Sequence, residues 1–191
     1  MTVVGTPVRA QILVSGVGGQ GVLFVTRLLA EAAILRGLRV LTSETHGMAQ
    51  RGGVVVSHLK AGDFRSPLIR VGHADGLIVL REENLPVHGR FLRPGGWAVV
   101  SARETPGRNS DFPVHAIDSE GIAQRAGNPQ GANLVLLGFT VARLGAADDG
   151  GKLFCTAQEL REAIARRFEG RRTLLAASLD ALDLGMSHGK R

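Results

Sequence analysis

The sequence has a single cysteine, a single tryptophan and no tyrosine. One thiol, Cys155, closes no disulfide within the chain. It also falls short of the roughly four ligands that an iron–sulfur cluster or a structural zinc takes, so it reads as a buried, idle thiol. Aromatic residues make up 4%, which leaves little for stacking single-stranded nucleic acid. No apolar run approaches the ~20 residues of a membrane span. The opening stretch MTVVGTPVRAQILV lacks the charged start and long apolar core of a secretory leader. The expectation is a cytoplasmic chain with no membrane partner. Histidines at metal-ligand spacing are missing too: His58, His73, His88, His115 and His188 form no H-x-x-x-H or H-x-E pattern. No serine sits in a G-x-S-x-G elbow. Nothing in the sequence amounts to a complete catalytic set, and no metal is expected.

What is present is ordinary globular material, with 191 residues, 44% hydrophobic and 21% charged. That length fits one domain, residues 1–191, with a core over about 10–145 and C-terminal helices over about 156–184. Glycine is abundant at 26 residues, which suggests tight turns and at least one site lined by backbone. The net charge is +6. Its arginines are scattered, and only Arg166, Arg167, Arg171 and Arg172 cluster, near a helix end where cations are favoured. No nucleic acid is expected, and a face for an acidic partner protein accounts for the charge equally well.

Apolar periodicity sets the order of elements. Gln11–Ser15 reads as a buried strand, 16–21 as a glycine loop, and Val22–Arg36 as a helix with Val25, Leu28, Leu29, Ala32 and Leu35 on one face. Gly37 ends that helix and Arg39–Thr42 is a strand, completing a βαβ unit. Glu44–Gly53 (ETHGMAQRGG) is too short and polar for a crossover helix. The strand Val54–Lys60 should therefore run antiparallel to its predecessor. Further strands are expected at Leu77–Leu80, Trp97–Ser101 and Val114–Ile117, with Pro94-Gly95-Gly96 as a turn. Helices follow at Ser119–Ala126, Ala132–Leu144, from the capping box Thr156-Ala157-Gln158-Glu159 to Phe168, and at Thr173–Leu184. The tail from Gly185 reads as frayed. The fold class is α/β: a Rossmann-like three-layer domain with a mixed, mostly parallel sheet and C-terminal helices.

Two segments could carry chemistry. Gly16, Gly18 and Gly21 fit G-x-G-x-x-G directly after a strand and before a helix. In that motif the first glycine permits the turn, the second brings amides to an anion, and the third lets the helix pack closely. Gly19 adds another bare backbone position, and Gln20 can hydrogen-bond at the helix mouth. A compact turn without a ligand fits the same pattern. In the second segment Glu44 stands just past the second strand, where a dinucleotide fold keeps its ribose acid. Its neighbours Thr45, His46, Gln50 and Arg51 make a dense polar group suited to an anion or to a partner's active site. A solvated loop is the alternative.

Three stretches taken together are far more specific: GVGGQGVLFVTRLLAEAA (16–33), ETHGMAQRGG (44–53) and GNPQGANLVLLG (127–138). Over about Ile12–Leu144 they resemble the γ-type domain of the 2-oxoacid:ferredoxin oxidoreductases. The form GMAQRGG is closer to the β subunit of the indolepyruvate branch than to the pyruvate branch. The resemblance implies a small subunit, inactive alone, of a complex that oxidatively decarboxylates arylpyruvates to aryl-acetyl-CoA and reduces ferredoxin. Thiamine diphosphate, magnesium and iron–sulfur clusters then belong to a large partner subunit, and coenzyme A is the co-substrate. No cofactor is implied on this chain, which has no G-D-G…N segment. The resemblance places Gly16–Gly21 and Glu44–Gly53 toward the partner or the shared cleft. Two rivals are a small Rossmann-type dinucleotide reductase and a stand-alone binding module. A large thiamine-type gene beside this one would favour the oxidoreductase.

Overall fold

The computed structural model describes residues 8–45, 53–106, 111–145 and 152–190. The first apolar run forms β1 (Ala10–Val17). Its side chains alternate: Ile12 and Val14 face one core, Leu13 the other. Helix α1 (Val22–Leu35) buries Val25, Leu28, Leu29 and Ala32. Its N-cap, Gly21, supplies no side-chain acceptor, which for glycine forgoes only roughly a few tenths of a kcal/mol. Burial of each leucine or valine is worth about 1.5–3 kcal/mol, so packing outweighs the missing cap. Gly37 (φ 73) stops the helix: its N–H donates to the Ile34 carbonyl and that of Leu38 to Ala33, at 2.8 and 3.0 Å, a Schellman closure.

Strand β2 (Val40–Thr45) pairs antiparallel with β3 (Val54–Ala61), and β3 pairs antiparallel with β1. The antiparallel return expected of β3 is present. The βαβ unit is modified by it, because β2 runs parallel to β1 with β3 lying between them. On the other side β4 (Ala74–Val79), β5 (Leu92–Ser101) and β6 (Val114–Ile117) add in parallel, giving the order β2-β3-β1-β4-β5-β6. The sheet is mixed and mostly parallel, as expected.

One strand starts ahead of the apolar run that signals it, and one turn signal proves to lie inside a strand. Asp75-Gly76 belongs to β4 because a Cβ on Gly76 would stand 2.1 Å from the buried Trp97 ring. Pro94-Gly95-Gly96 bulges out of β5, where the register jumps from Ala74↔Leu92 to Gly76↔Trp97 and Gly95 takes φ 78.

The layers are unequal. Helix α1 shares one face of the sheet with α3 (Ser119–Arg125), α4 (Ala132–Leu144), α5 (Ala157–Arg167) and α6 (Arg172–Gly189). Among the described residues, the other face is covered by the loop around Ile69, by α2 (Leu85–His88), by the helical turns at 82–84 and 89–91, and by Phe112. The Thr156–Glu159 capping box opens α5 as read from the sequence. The frayed tail is a correction: α6 continues to Gly189. A Cβ on Gly185 would stand 1.9 Å from the Val135 carbonyl, and one on Gly138 2.0 Å from that of Leu182. Glycine therefore marks close packing of α6 on α4 here, not the end of order. Among the described residues no helix is long and apolar enough to cross a membrane.

Candidate functional site

The turn from β1 into α1 folds around the Gln20 side chain. Its Oε1 accepts the Val17 N–H at 2.9 Å, while its Nε2 donates to the Leu80 carbonyl and to Glu120, both at 3.1 Å. One amide thus ties the loop to the ends of β4 and α3. The left-handed conformations fall on Gly19 (φ 95) and Gly21 (φ 85). Gly16 answers to crowding, since a Cβ there would meet Val22 Cγ2 at 2.8 Å and Gln20 Oε1 at 2.9 Å. The Gly18 N–H donates to the Gly53 carbonyl at 3.1 Å, and the Gln20 N–H to Val17 at the same distance. The motif therefore spends the Val17, Gly18 and Gln20 amides within the chain, which weakens the dinucleotide reading: these three donors are not free for a pyrophosphate.

Opposite the loop stands the start of α4. Asn133 Nδ2 donates to the Gln20 carbonyl at 3.2 Å, and a Cβ on Gly21 would lie 2.2 Å from that nitrogen. Gly21 thus permits close packing, but against Asn133 of α4 and not, as in the motif, against the sheet. Asn133 Oδ1 is buried and has no hydrogen-bond partner among the described residues. Between the two walls lies a cleft of about 770 Å³, lined by Gly19, Gln20, Leu80, Glu120, Gln130 and Asn133 among others. It opens at the carboxyl ends of β1 and β4, where connections leave the sheet in opposite directions; ligands of open α/β sheets gather at such a switch point. A more polar trough of about 670 Å³ continues it past Arg103, Glu104 and Asp118.

Beneath the loop is a buried polar network. Asn84 Nδ2 donates to Ser15 Oγ and to the Gly16 carbonyl, each at 3.0 Å, and Ser15 Oγ lies 2.8 Å from His88 Nδ1. Burial, and then the charge of Arg90, push the His88 pKa below its ordinary value. For His58 the order is burial, Lys60, then His88. Both rings are therefore neutral at pH 7, and His58 Nδ1 accepts the Ile69 N–H at 3.1 Å. Cys155 is buried, which raises its thiol pKa to about 12.

The second predicted segment is only partly visible. Glu44 lies within β2, paired with Ser57, and not past the strand end; the ladder to β3 carries β2 further than its apolar residues signal. Glu44 lines neither the cleft nor the trough. His46, Gln50 and Arg51 lie outside the described residues. The bond from Gly18 to Gly53 nevertheless brings the end of their loop to the glycine turn. Sequence reasoning passed over Asn133 and Glu120 as site residues. The GNPQGAN stretch was the available signal for Asn133, whereas Glu120 had none beyond its place after β6.

The sequence pattern of pyruvate ferredoxin/flavodoxin oxidoreductases matches residues 11–188. The chain belongs to this family. Among curated proteins of the family it is 36% identical over 152 residues to the indolepyruvate oxidoreductase subunit IorB of Archaeoglobus fulgidus, covering 69% of this chain and 75% of that one. It is 30% identical to the IorB subunit of Thermococcus kodakarensis, covering 66% and 74%. Among solved structures, the pyruvate oxidoreductase subunit PORC of Thermotoga maritima superposes with a TM-score of 0.75 at 22% identity, covering 94% of this chain and 96% of that one. A keto/oxoacid ferredoxin oxidoreductase γ subunit of Geobacter sulfurreducens gives 0.73 at 24%, covering 94% and 98%. These two support the fold, and the motif-level resemblance to the family is borne out.

The family's name implies redox chemistry, and the described side chains do not suit an iron–sulfur cluster or a bound metal. An iron–sulfur cluster is held by several thiolates, and this chain has one, buried and protonated. Among the described residues no group of three His, Cys, Asp or Glu side chains is placed to hold a metal.

Proposed function

We propose that this chain is the small subunit of a 2-oxoacid:ferredoxin oxidoreductase of the indolepyruvate type, oxidising arylpyruvates to aryl-acetyl-CoA with ferredoxin as acceptor. The observation that carries the reading is the meeting of the GVGGQG turn with the NPQGAN turn across one cleft at the switch point of the sheet. Family membership and the IorB relatives support the reading of the chain as such a subunit. Thiamine diphosphate, magnesium and the iron–sulfur clusters reside on a large partner subunit and supply the carbanion and electron-transfer chemistry. This chain walls the shared site. The bare backbone at Gly19 and the amide of Asn133 contribute bulk-free surface and a spare acceptor, and closing that wall excludes water from the reacting carbon. Coenzyme A is the co-substrate whose polar groups suit the continuous trough past Glu120. Gly16, Gly18, Gly19, Gln20, Gly21, Glu44, His46, Gln50 and Arg51 form the partner-facing set, with Arg51 able to pair a carboxylate or phosphate. The subunit acts in the cytoplasm.

The test is reconstitution. Purified alone, the chain is expected to be colourless and inactive toward arylpyruvates. Mixed with its large thiamine-binding subunit, it should restore coenzyme A-dependent ferredoxin reduction. Arg51→Ala is expected to lower kcat/KM of the complex without lowering the melting temperature. Turnover by the isolated chain, or a large subunit equally active without it, overturns the reading.

A further inference from the structure

The face of the sheet that carries α2 also carries cations that no described side chain neutralises. Lys60, near the end of β3, is only 8% exposed, and its ammonium stands 5.2 Å from the centre of the Phe64 ring. The Arg9 guanidinium lies over the same ring at 4.4 Å. Burial, followed by the charges of Arg70 and Arg9, lowers the Lys60 pKa, so the three cations sit in one another's field. Arg90 extends the group: its carbonyl takes the Gly72 N–H, and its guanidinium lies 5.8 Å from the Phe91 ring. Among the described residues, none of Arg9, Lys60, Arg70 and Arg90 has an ion pair. The acids of this edge, Asp63 and Asp75, are held by Arg39 and Arg93 at 3.0 and 2.6 Å. On the segments that carry Arg70 and Arg90, Leu68, Val71 and Val87 are 53, 55 and 58% exposed.

Clustered like charges repel within the isolated chain, and apolar side chains beside them gain nothing from water. We propose that this face docks a carboxylate-rich surface of the large subunit, with Leu68, Val71 and Val87 as its apolar contacts. The inference rests on the reading of the chain as a subunit. It assigns a second contact, separate from the cleft: Arg9 precedes β1 and the glycine turn follows it, and eight extended residues span roughly 25 Å. A second copy of this chain does not suit the face, because an isologous contact sets the same charges against themselves. Nucleic acid suits it poorly, because the Phe64 ring is already taken by two cations and is not free to stack on bases.

The experiment titrates the purified chain into the large thiamine-binding subunit at low and at physiological salt. Arg70 and Arg90 are both exposed, so the double variant Arg70→Glu/Arg90→Glu should fold, which a thermal melt checks. Val71→Ser/Val87→Ser probes the apolar half without touching charge. The charge reversal is expected to weaken binding on the order of tenfold per residue and to flatten its salt dependence. The serine pair should weaken binding with the salt dependence kept. Equal affinity of wild type and both variants overturns the docking face. So does a charge reversal that abolishes only self-association, or only binding to a duplex DNA oligomer. If the wild-type chain itself fails to bind the large subunit, the subunit reading falls first and this one with it.

Discussion

Replacing Gly21 by alanine tests the contact on which the cleft depends. Two costs are expected. An L-residue at φ 85 loses about 1–2 kcal/mol relative to glycine. The new Cβ would also stand 2.2 Å from Asn133 Nδ2, so Asn133 must move and release the Gln20 carbonyl, at a further cost of about 0.5–1.5 kcal/mol. A chain of this length shifts its melting temperature by about 2–4 °C per kcal/mol, so Gly21→Ala should melt roughly 3–14 °C lower. Asn133→Ala alone should cost little: it loses the same hydrogen bond but also removes a buried, unpartnered Oδ1. In the double variant the collision is gone and only the backbone term remains. Its loss should therefore be smaller than the sum of the single losses by about 0.5–1.5 kcal/mol. Urea unfolding of the four proteins measures this coupling. If the losses add within about 0.5 kcal/mol, the two side chains do not meet and the cleft is not built as described.

Three further outcomes follow from burial. His58 and His88 have pKa values depressed below the ordinary 6.5, so the unfolded chain takes up their protons first as pH falls. Their contribution is intact above about pH 6.5 and is lost below it, down toward the folded values; urea midpoints at pH 7.5 and 5.5 should show the fall, and His88→Gln should flatten it. Cys155, with its thiol pushed up to about 12, should resist iodoacetamide in the native chain and react once urea exposes it; fast native alkylation would contradict its burial. Gly185→Ala, whose Cβ would stand 1.9 Å from the Val135 carbonyl, should cost about 1–3 kcal/mol, whereas a frayed tail would gain stability from a better helix former.

The elements that came through from the sequence are those governed by local physics. The stripe Val25, Leu28, Leu29, Ala32 gave α1, Gly37 gave its end, and Thr156 with Glu159 gave the start of α5. Elements set by distant partners came through less well. The sequence pattern puts Gly76 ahead of its strand and Gly185 in a frayed end because glycine punctuates loops. Both instead make room, one for Trp97 and the other for Val135, partners 21 and 50 residues away in the chain. The extension of β2 through Glu44 depends on its ladder with β3. In the site, the glycine loop was legible as a pattern, but the use of its amides was not. That Gln20 closes on Val17, Leu80 and Glu120 depends on where β4 and α3 end in space. Asn133 belongs to the cleft only because α4 begins beside α1.

The close seam between α4 and α6 reaches the cleft as well. Asn128 Nδ2 donates to the Ala177 carbonyl at 3.1 Å, and a Cβ on Gly131 would press on Ala181 at 2.9 Å. The turn that presents Gln130 and Asn133 is thus braced by the last helix described. During synthesis the glycine turn emerges from the ribosome early, yet its opposite wall cannot set until α6 has followed. A nascent chain therefore holds no finished cleft until translation has carried α6 clear.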